Sequence, residues 1–224
     1  MHGENIMKGI IDLRRDLHRH PEVSGEETAT AARVRKFMQD FRNARIVEGI
    51  GGHGLIAEFS SGREGPSLMF RCELDALPIE EKNDLPYASA IPGKGHLCGH
   101  DGHMAMVAGL GHYLDQNPPP RGRVMLLFQP SEENGRGAEA VLNDPKFKEF
   151  EPGHIFALHN LPGYPMHQVV VSNGHFAAAS SGMKISLTGR SSHAAEPEKG
   201  INPGFGMAGM IMAFRDIMKI ERYF

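Results

Sequence analysis

The chain has 224 residues, with 24 lysines and arginines against 27 aspartates and glutamates, so its formal net charge is −3. This length can bury a hydrophobic core and suits one large domain or two smaller ones. The charge gives no electrostatic reason to expect nucleic acid or an anionic membrane as a partner. No segment approaches the roughly 18 to 20 apolar residues of a membrane span, the start lacks a signal-peptide layout, and two cysteines do not make a disulfide framework. We therefore expect a soluble, cytoplasmic protein with reduced cysteines.

Hydrophobic periodicity predicts alternating helices and strands along the first three quarters of the chain. Ser24 and Glu27 resemble a capping box at the start of the second helix. Helices are predicted over residues 6–20, 27–41, 103–117 and 137–144, and strands over 54–61, 66–76, 123–130 and 153–160, the last of them buried. This order indicates an α/β fold with a largely parallel sheet.

The residue composition changes after residue 174, where small residues precede a further predicted strand and helix. Residues 181–189 alternate like a half-exposed strand, and residues 200–220 form a helix rich in glycine and methionine. We place a domain boundary near Ala178–Ser181. One strand and one helix are too few to bury their own apolar faces, so the final helix is expected to be a core or dimer face.

The segment GHLCGHDGH, residues 95–103, concentrates histidine, cysteine and aspartate where a loop enters a helix. Cys98 and His100 are two residues apart, so in an extended stretch both side chains point to one face. A thiolate and an imidazole together suit a borderline-soft divalent ion. A solvated loop is the alternative interpretation, and a nucleophilic Cys98 with His100 as its base is another.

Three other strand ends carry residues that extend this set. Glu132 and Glu133 follow the strand at 123–130, where one carboxylate can bind metal while the other acts as general base. His159 ends the strand at 153–160, and Asp75 follows the strand at 66–76. Cys98, His100, Glu133 and His159 then form a donor set for a divalent metal, and the Asp75 carboxylate is placed to accept a hydrogen bond from a ligand histidine. In isolation, an exposed glutamate pair and a structural histidine are the alternatives.

Six segments resemble, in order, the motifs of the M20 metallopeptidase family. The resemblance covers nearly the whole chain and is strongest to the amidohydrolase branch of hippurate hydrolases, N-acyl-amino-acid deacylases and auxin-conjugate hydrolases. The segments are DLHRHPEVSGEE, RCELDALPIEE, GKGHLCGHDGHMAMVAG, LLFQPSEENGRGAEAVL, ALHNLPGYP and SSHAAEPEKGINP.

The resemblance implies a zinc-peptidase-like, three-layer catalytic domain followed by a ferredoxin-like α+β lid through which members usually form homodimers. The catalytic domain would be residues 1–179, and the lid would begin in residues 180–224. One or two divalent ions (Zn, Mn, Ni or Co) would be held by Cys98, His100, Glu133 and His159.

The implied reaction is hydrolysis of the amide bond of N-acyl amino acids or dipeptide-like substrates. Glu132 is the implied general base, and His193 of the SHAA motif polarises the scissile carbonyl, typically in the partner subunit's site. From its surroundings alone, His193 is open to another interpretation, as a loop histidine that bonds locally. We expect His18 and His20 to be structural and His96, Asp101 and His103 to support the ligands.

The chain departs from the family pattern at two points. Glu73 stands where the family usually has aspartate in the motif DMDALP. Family members also continue through the lid and return to the catalytic domain, where they supply a last histidine ligand. We therefore expect this chain to be a fragment or a C-terminally truncated product. The alternative function is an inactive remnant that acts only as a metal-binding or dimerisation module.

Overall fold

The computed structural model describes residues 2–171, 173–174 and 182–217. Backbone contacts divide the chain into two units, Met1–Tyr164 and Pro165–Phe224. This division falls before the boundary predicted near Ala178–Ser181, which itself lies outside the described residues. Each unit is treated separately below.

The first unit contains most of the regular structure. Its helices are α1 (His2–Arg19), α2 (Thr28–Phe37), α3 (His100–Gln116) and α4 (Gly137–Asn143), followed by a 3-10 helix at Pro145–Phe150. Its strands are β1 (Ala44–Ile50), β2 (Gly54–Ser60), β3 (Ser67–Glu73), β4 (Arg123–Gln129) and β5 (His154–Ala157).

Two local predictions differ from the structure. Strand β1 was not predicted, because its inward and outward residues do not alternate cleanly in hydrophobicity. The capping box at the start of α2 was wrong, because Glu27 makes no side-chain cap and the Ser24 hydroxyl donates instead to the Asp75 carboxylate, 2.6 Å away. The long-range partner of Ser24 therefore replaces the local one.

The sheet has five strands in the order β1-β2-β4-β3-β5. Strand β3 pairs in parallel with both β4 and β5, whereas β2 runs antiparallel to both β1 and β4. The predicted α/β class is confirmed, with the parallel part confined to three strands. Since parallel strands end at the same edge, the segments after β3, β4 and β5 are brought together.

Strand β4 shows why the first unit has three layers, as the resemblance implied. Alternate side chains of a strand point to opposite faces, and both faces of β4 are buried. Leu126 and Phe128 belong to the core cluster shared with α1, α2 and α3. Met125 and Leu127 belong to the second cluster, with Val141 of α4 and the 3-10 helix.

Strand β5 lies at an edge of the sheet, and the prediction that it is buried was wrong. All four of its residues are exposed, and Ile155 retains 56% of its accessible surface. An edge strand has a neighbour on one side only, so its apolar composition does not by itself ensure burial.

The second unit contains the helix α5 (Pro203–Ile217), as predicted, after a 3-10 turn at Pro197–Lys199. Its predicted strand was wrong, because residues 182–189 form no ladder and only a lone bridge joins Arg190 to Ile201. A strand needs a partner for its backbone groups, and the described residues of this unit offer none. Among the described helices, none is both long enough and apolar enough to cross a bilayer.

Candidate metal centre

The carboxyl-terminal edge of the parallel strands gathers the predicted site residues of the first unit. Asp75 follows β3, the glutamate pair follows β4, and His159 follows β5. Helix α3 starts at the same edge, with His100 as its first residue and Cys98 just before it. The four strand-end and helix-start segments therefore meet in one place, as the sequence predicts.

Cys98 and His159 approach each other directly. The Cys98 Sγ atom lies 3.3 Å from Nε2 of His159. The other ring nitrogen, Nδ1, is 2.8 Å from the backbone carbonyl oxygen of Asn160, which can only accept a hydrogen bond. Nδ1 therefore carries the proton, and the Nε2 lone pair of His159 faces the sulfur.

His100 is oriented in the same way. Its Nδ1 donates to the backbone carbonyl of Asp75 at 2.7 Å, so its Nε2 is left with a lone pair. This Nε2 lies 3.8 Å from a carboxylate oxygen of both Glu132 and Glu133. Hydrogen bonds that fix the outer nitrogen are the usual means by which proteins orient metal-ligating histidines.

The Asp75 carboxylate has a different role from the one predicted for it. It was expected to accept a hydrogen bond from a ligand histidine, but its Oδ1 lies 3.7 Å from His100 Nδ1, too far for a hydrogen bond. Its Oδ2 accepts from the Ser24 hydroxyl at 2.6 Å and from the backbone N–H of Glu133 at 2.9 Å. The carboxylate therefore positions the glutamate loop, while the backbone carbonyl of the same residue fixes His100.

Among the described residues, the buried polar atoms without a hydrogen-bond partner include two carboxylate oxygens of the predicted site, Oδ1 of Asp75 and Oε1 of Glu133. A buried carboxylate oxygen without a donor is costly, so such atoms indicate a place for a cation or water. The residues fit a metal. Ligand atoms within 4.8 Å of one another occur in three groups that share His100, and these are Cys98–His100–His159, His100–Glu132–Glu133 and Glu73–His100–His103.

The electrostatics of the cluster disfavour a free thiolate. Burial, followed by the neighbouring Glu133 carboxylate, raises the pKa of Cys98 to about 12. The ring nitrogen nearest the sulfur also belongs to His159 and not to His100, the base that a nucleophilic cysteine would require. Burial raises the pKa of Glu132 as well, and the Glu133 charge adds to this effect while His100 opposes it.

Glu27 is a site-supporting residue that the local sequence pattern misassigned. Its side chain is fully buried, and Oε1 accepts from the backbone N–H of Ser131 at 2.7 Å. Ser131 directly precedes the glutamate pair and has a positive φ of 53°, a conformation that costs energy in a non-glycine residue. The two residues are 104 positions apart, so no short motif could reveal the contact.

His193 lies in the second unit, where its side chain is exposed. Its Nδ1 accepts a hydrogen bond from the backbone N–H of Ala195 at 3.1 Å. This local contact is the one that a loop histidine forms, and the role of His193 towards the metal centre stays a prediction.

Comparisons with known proteins place this chain in a family. A sequence profile of Peptidase family M20/M25/M40 matches residues 69–219. The chain is 37% identical over 214 residues to N-acetyl-L-cysteine deacetylase of Bacillus subtilis, an alignment that covers 95% of this chain and 51% of that protein. It is 32% identical over 222 residues to hippurate hydrolase of Campylobacter jejuni, covering 96% of this chain and 57% of that protein.

The fold agrees with these matches. A crystal structure from Bacillus subtilis, described as a dinuclear metal-binding peptidase from the M20 family, aligns with a TM-score of 0.66 and 36% identity, over 72% of this chain and 45% of that chain. The present chain spans about half the length of the curated relatives it matches. Since the profile covers most of the sequence, the protein belongs to peptidase family M20/M25/M40.

Proposed function

We propose that this chain carries the metal-binding part of an amidohydrolase that cleaves the amide bond of N-acyl amino acids. The observation that carries the proposal is the convergence of one thiol, two imidazole lone pairs and a carboxylate at one sheet edge. The names of the two curated relatives, a deacetylase and a hippurate hydrolase, support the reaction class.

The donor set would consist of Cys98, His100, Glu133 and His159. When bound, a divalent ion such as zinc, manganese, nickel or cobalt would supply Lewis-acid activation of water and of the scissile carbonyl. A similar solved structure is described as dinuclear, which supports the proposal of one or two such ions.

Glu132 is the general base in this proposal. Its carboxylate oxygen lies 3.8 Å from the same ring nitrogen of His100 that faces Glu133, so it reaches the centre without being one of the proposed ligands. It would accept a proton from the attacking water and return it to the leaving amine. Asp75 contributes by holding the backbone of Glu133, which fixes the position of the glutamate pair.

His193 is proposed to polarise the scissile carbonyl from the partner subunit of a homodimer formed through the lid. Stabilisation of the oxyanion by one such donor typically contributes about 3 kcal/mol to the lowering of the barrier. A His193→Ala chain should therefore retain its metal and lose roughly a hundredfold in turnover. Unchanged turnover would remove His193 from the mechanism.

The test of the proposed reaction is turnover of N-acetyl-L-cysteine and hippurate by the chain loaded with Zn²⁺, Mn²⁺ or Co²⁺. We expect activity that disappears on chelation and in Glu132→Gln, with Glu132→Gln keeping its metal. Activity that survives chelation would favour a cysteine nucleophile. A folded, metal-loaded chain without any turnover would favour the alternative, a metal-binding or dimerisation module.

A further inference from the structure

A chain of hydrogen-bonded polar side chains, of which Glu73 and His103 are buried, lies next to His159. The Arg71 guanidinium donates to Oε1 of Glu73, and Oε2 of Glu73 lies 2.9 Å from Nδ1 of His103. On the other side of the ring, Nε2 of His103 lies 2.8 Å from Oδ1 of Asn160 and 3.2 Å from its backbone nitrogen. We call Glu73, His103 and Asn160 the support chain.

Burying the polar side chains of Glu73 and His103, the first two members of the support chain, costs free energy. Glu73 and His103 are only 2% and 1% exposed. A buried charged or polar pair is often no more stable than well-packed apolar residues of similar size, so stability alone is a weak reason for its presence. The imidazole of His103 is nevertheless held in one orientation, because Nδ1 faces Glu73 and Nε2 faces Asn160.

Asn160 connects the support chain to the ligand residues on both sides. It is adjacent in sequence to His159, and its backbone carbonyl accepts from Nδ1 of that histidine. Its side chain also sits against Gly99, where a Cβ atom would lie 2.5 Å from Oδ1 of Asn160. Gly99 has a φ of +98° and lies between Cys98 and His100, so glycine permits this close approach.

His103 also contacts the ligand ring itself. The ring centroids of His103 and His159 are 4.8 Å apart with an interplanar angle of 70°. His103 thus contacts both the ring of His159 and the backbone N–H of Asn160, the next residue.

We propose that His103, held by Glu73, is a positioning residue that fixes Asn160 and thereby aims the imidazole of His159 at Cys98. The proposal rests on the proposed function only in treating His159 as a metal ligand. His103 could instead be a ligand itself, in the group Glu73–His100–His103. The geometry argues against this, because both nitrogens of His103 are engaged, whereas His159 and His100 each direct one lone pair into the centre.

The test combines a metal-free measurement with a metal titration. The variants are His103→Ala, Asn160→Ala and their double. The matched control is His112→Ala, which removes a histidine of the same helix that bonds to Gln116 and packs on Phe41. In the metal-free chain, we expect His103→Ala to accelerate amide hydrogen exchange at residues 159–160, and His112→Ala to leave it unchanged.

In the titration, Co²⁺ alone is the probe, followed by its visible absorption. We expect His103→Ala to weaken Co²⁺ binding by roughly 10- to 100-fold, the usual effect of removing a group that orients a metal ligand. The double variant should bind Co²⁺ only slightly more weakly than either single variant, because both substitutions interrupt the same support chain. Glu73→Gln, which keeps an acceptor for Nδ1 of His103, should bind Co²⁺ more tightly than Glu73→Ala does.

The outcomes separate this proposal from the proposed function. Unchanged exchange at residues 159–160 in His103→Ala overturns the positioning role, and so do additive losses in the double variant. Loss of Co²⁺ binding without faster exchange would make His103 a ligand. If the unaltered chain binds no Co²⁺, the proposed metal function fails, and the exchange measurement still decides the positioning role. Asn160→Ala alters an exposed loop residue and keeps the test valid if His103→Ala does not fold.

Discussion

At the scale of single residues, the buried carboxylate of Glu27 shows how distant segments hold the centre. It accepts from both the backbone N–H and the hydroxyl of Ser131, and its other oxygen accepts from the backbone N–H of Gly25. It therefore ties the segment before α2 to the loop that presents the glutamate pair.

Replacing Glu27 by alanine should lower the free energy of unfolding by about 1 to 3 kcal/mol, because a buried N–H loses its acceptor. It should also lower turnover, since Ser131 loses the contact that stabilises its positive φ. Chemical denaturation measures the first effect and an assay at saturating metal the second. The control is Glu26→Ala, which removes an exposed carboxylate paired with Lys94 and should change stability by about 0.5 kcal/mol or less.

A second buried network gives a pH dependence of stability. His18 lies between two carboxylates, with Nδ1 2.8 Å from Asp101 and Nε2 3.0 Å from Glu81. The hydrogen bond to Asp101 raises the pKa of His18 above 6.5, with Glu81 adding to it and burial and Arg14 opposing it. The stabilisation from protonated His18 is therefore fully present below pH 6.5 and is lost as pH rises through the folded pKa.

We expect the stability difference between the unaltered chain and His18→Gln to be greatest at about pH 5 to 6.5 and to shrink at higher pH. The pKa of both Asp101 and Glu81 is lowered, so their own contributions are lost only at more acidic pH. Unfolding curves from pH 5 to pH 9 measure the difference. His112→Gln, which removes a ring that bonds to the Gln116 amide, is the control. A difference that grows with pH would contradict this account.

At the scale of secondary-structure elements, the central strand β4 and the edge strand β5 of the sheet differ in what they contribute. Leu126 of β4 is fully buried, whereas Ile155 of β5 is mostly exposed. His159 nevertheless follows β5 in the chain. The position of His159 at the centre therefore depends on the register of β5 with β3 more than on burial of β5.

The substitution Leu126→Ala should cost about 2 to 5 kcal/mol of unfolding free energy, because it leaves a cavity between layers. Ile155→Ala should cost about 1 kcal/mol or less, since most of that side chain already faces solvent. Denaturant titrations of both variants test the comparison. Equal costs would mean that β5 is as well packed as β4.

The approximate positions of strands β3, β4 and β5 along the chain were predictable from the sequence because they depend on local patterns. The apolar run of β4 followed by Pro130 and the glutamates indicated both the strand and the site at its end. The contacts that complete the centre were not predictable, since Ser24, Glu27 and Asn160 act through partners 51, 104 and 57 residues away. The Ser24 and Glu27 spacing even fitted a local cap, and only the tertiary fold decided against it.

At the scale of the whole molecule, the residues of the candidate metal centre lie within one of the two units. Asp75, Cys98, His100, Glu133 and His159 all belong to Met1–Tyr164, whereas His193 belongs to Pro165–Phe224. The chain spans about half of its curated relatives, yet the proposed donor set of four residues is present in the first unit. We therefore expect metal binding, which involves residues of the first unit, to be separable from turnover, for which His193 is also proposed.

The central claim is that these residues bind a divalent ion, and elemental analysis of the purified chain tests it most directly. The unaltered chain should contain near-stoichiometric divalent metal, and Glu133→Ala and His159→Ala should each lose most of it while remaining folded. A soluble, folded chain without bound metal, or one whose metal content is unaffected by both substitutions, would contradict the proposed centre.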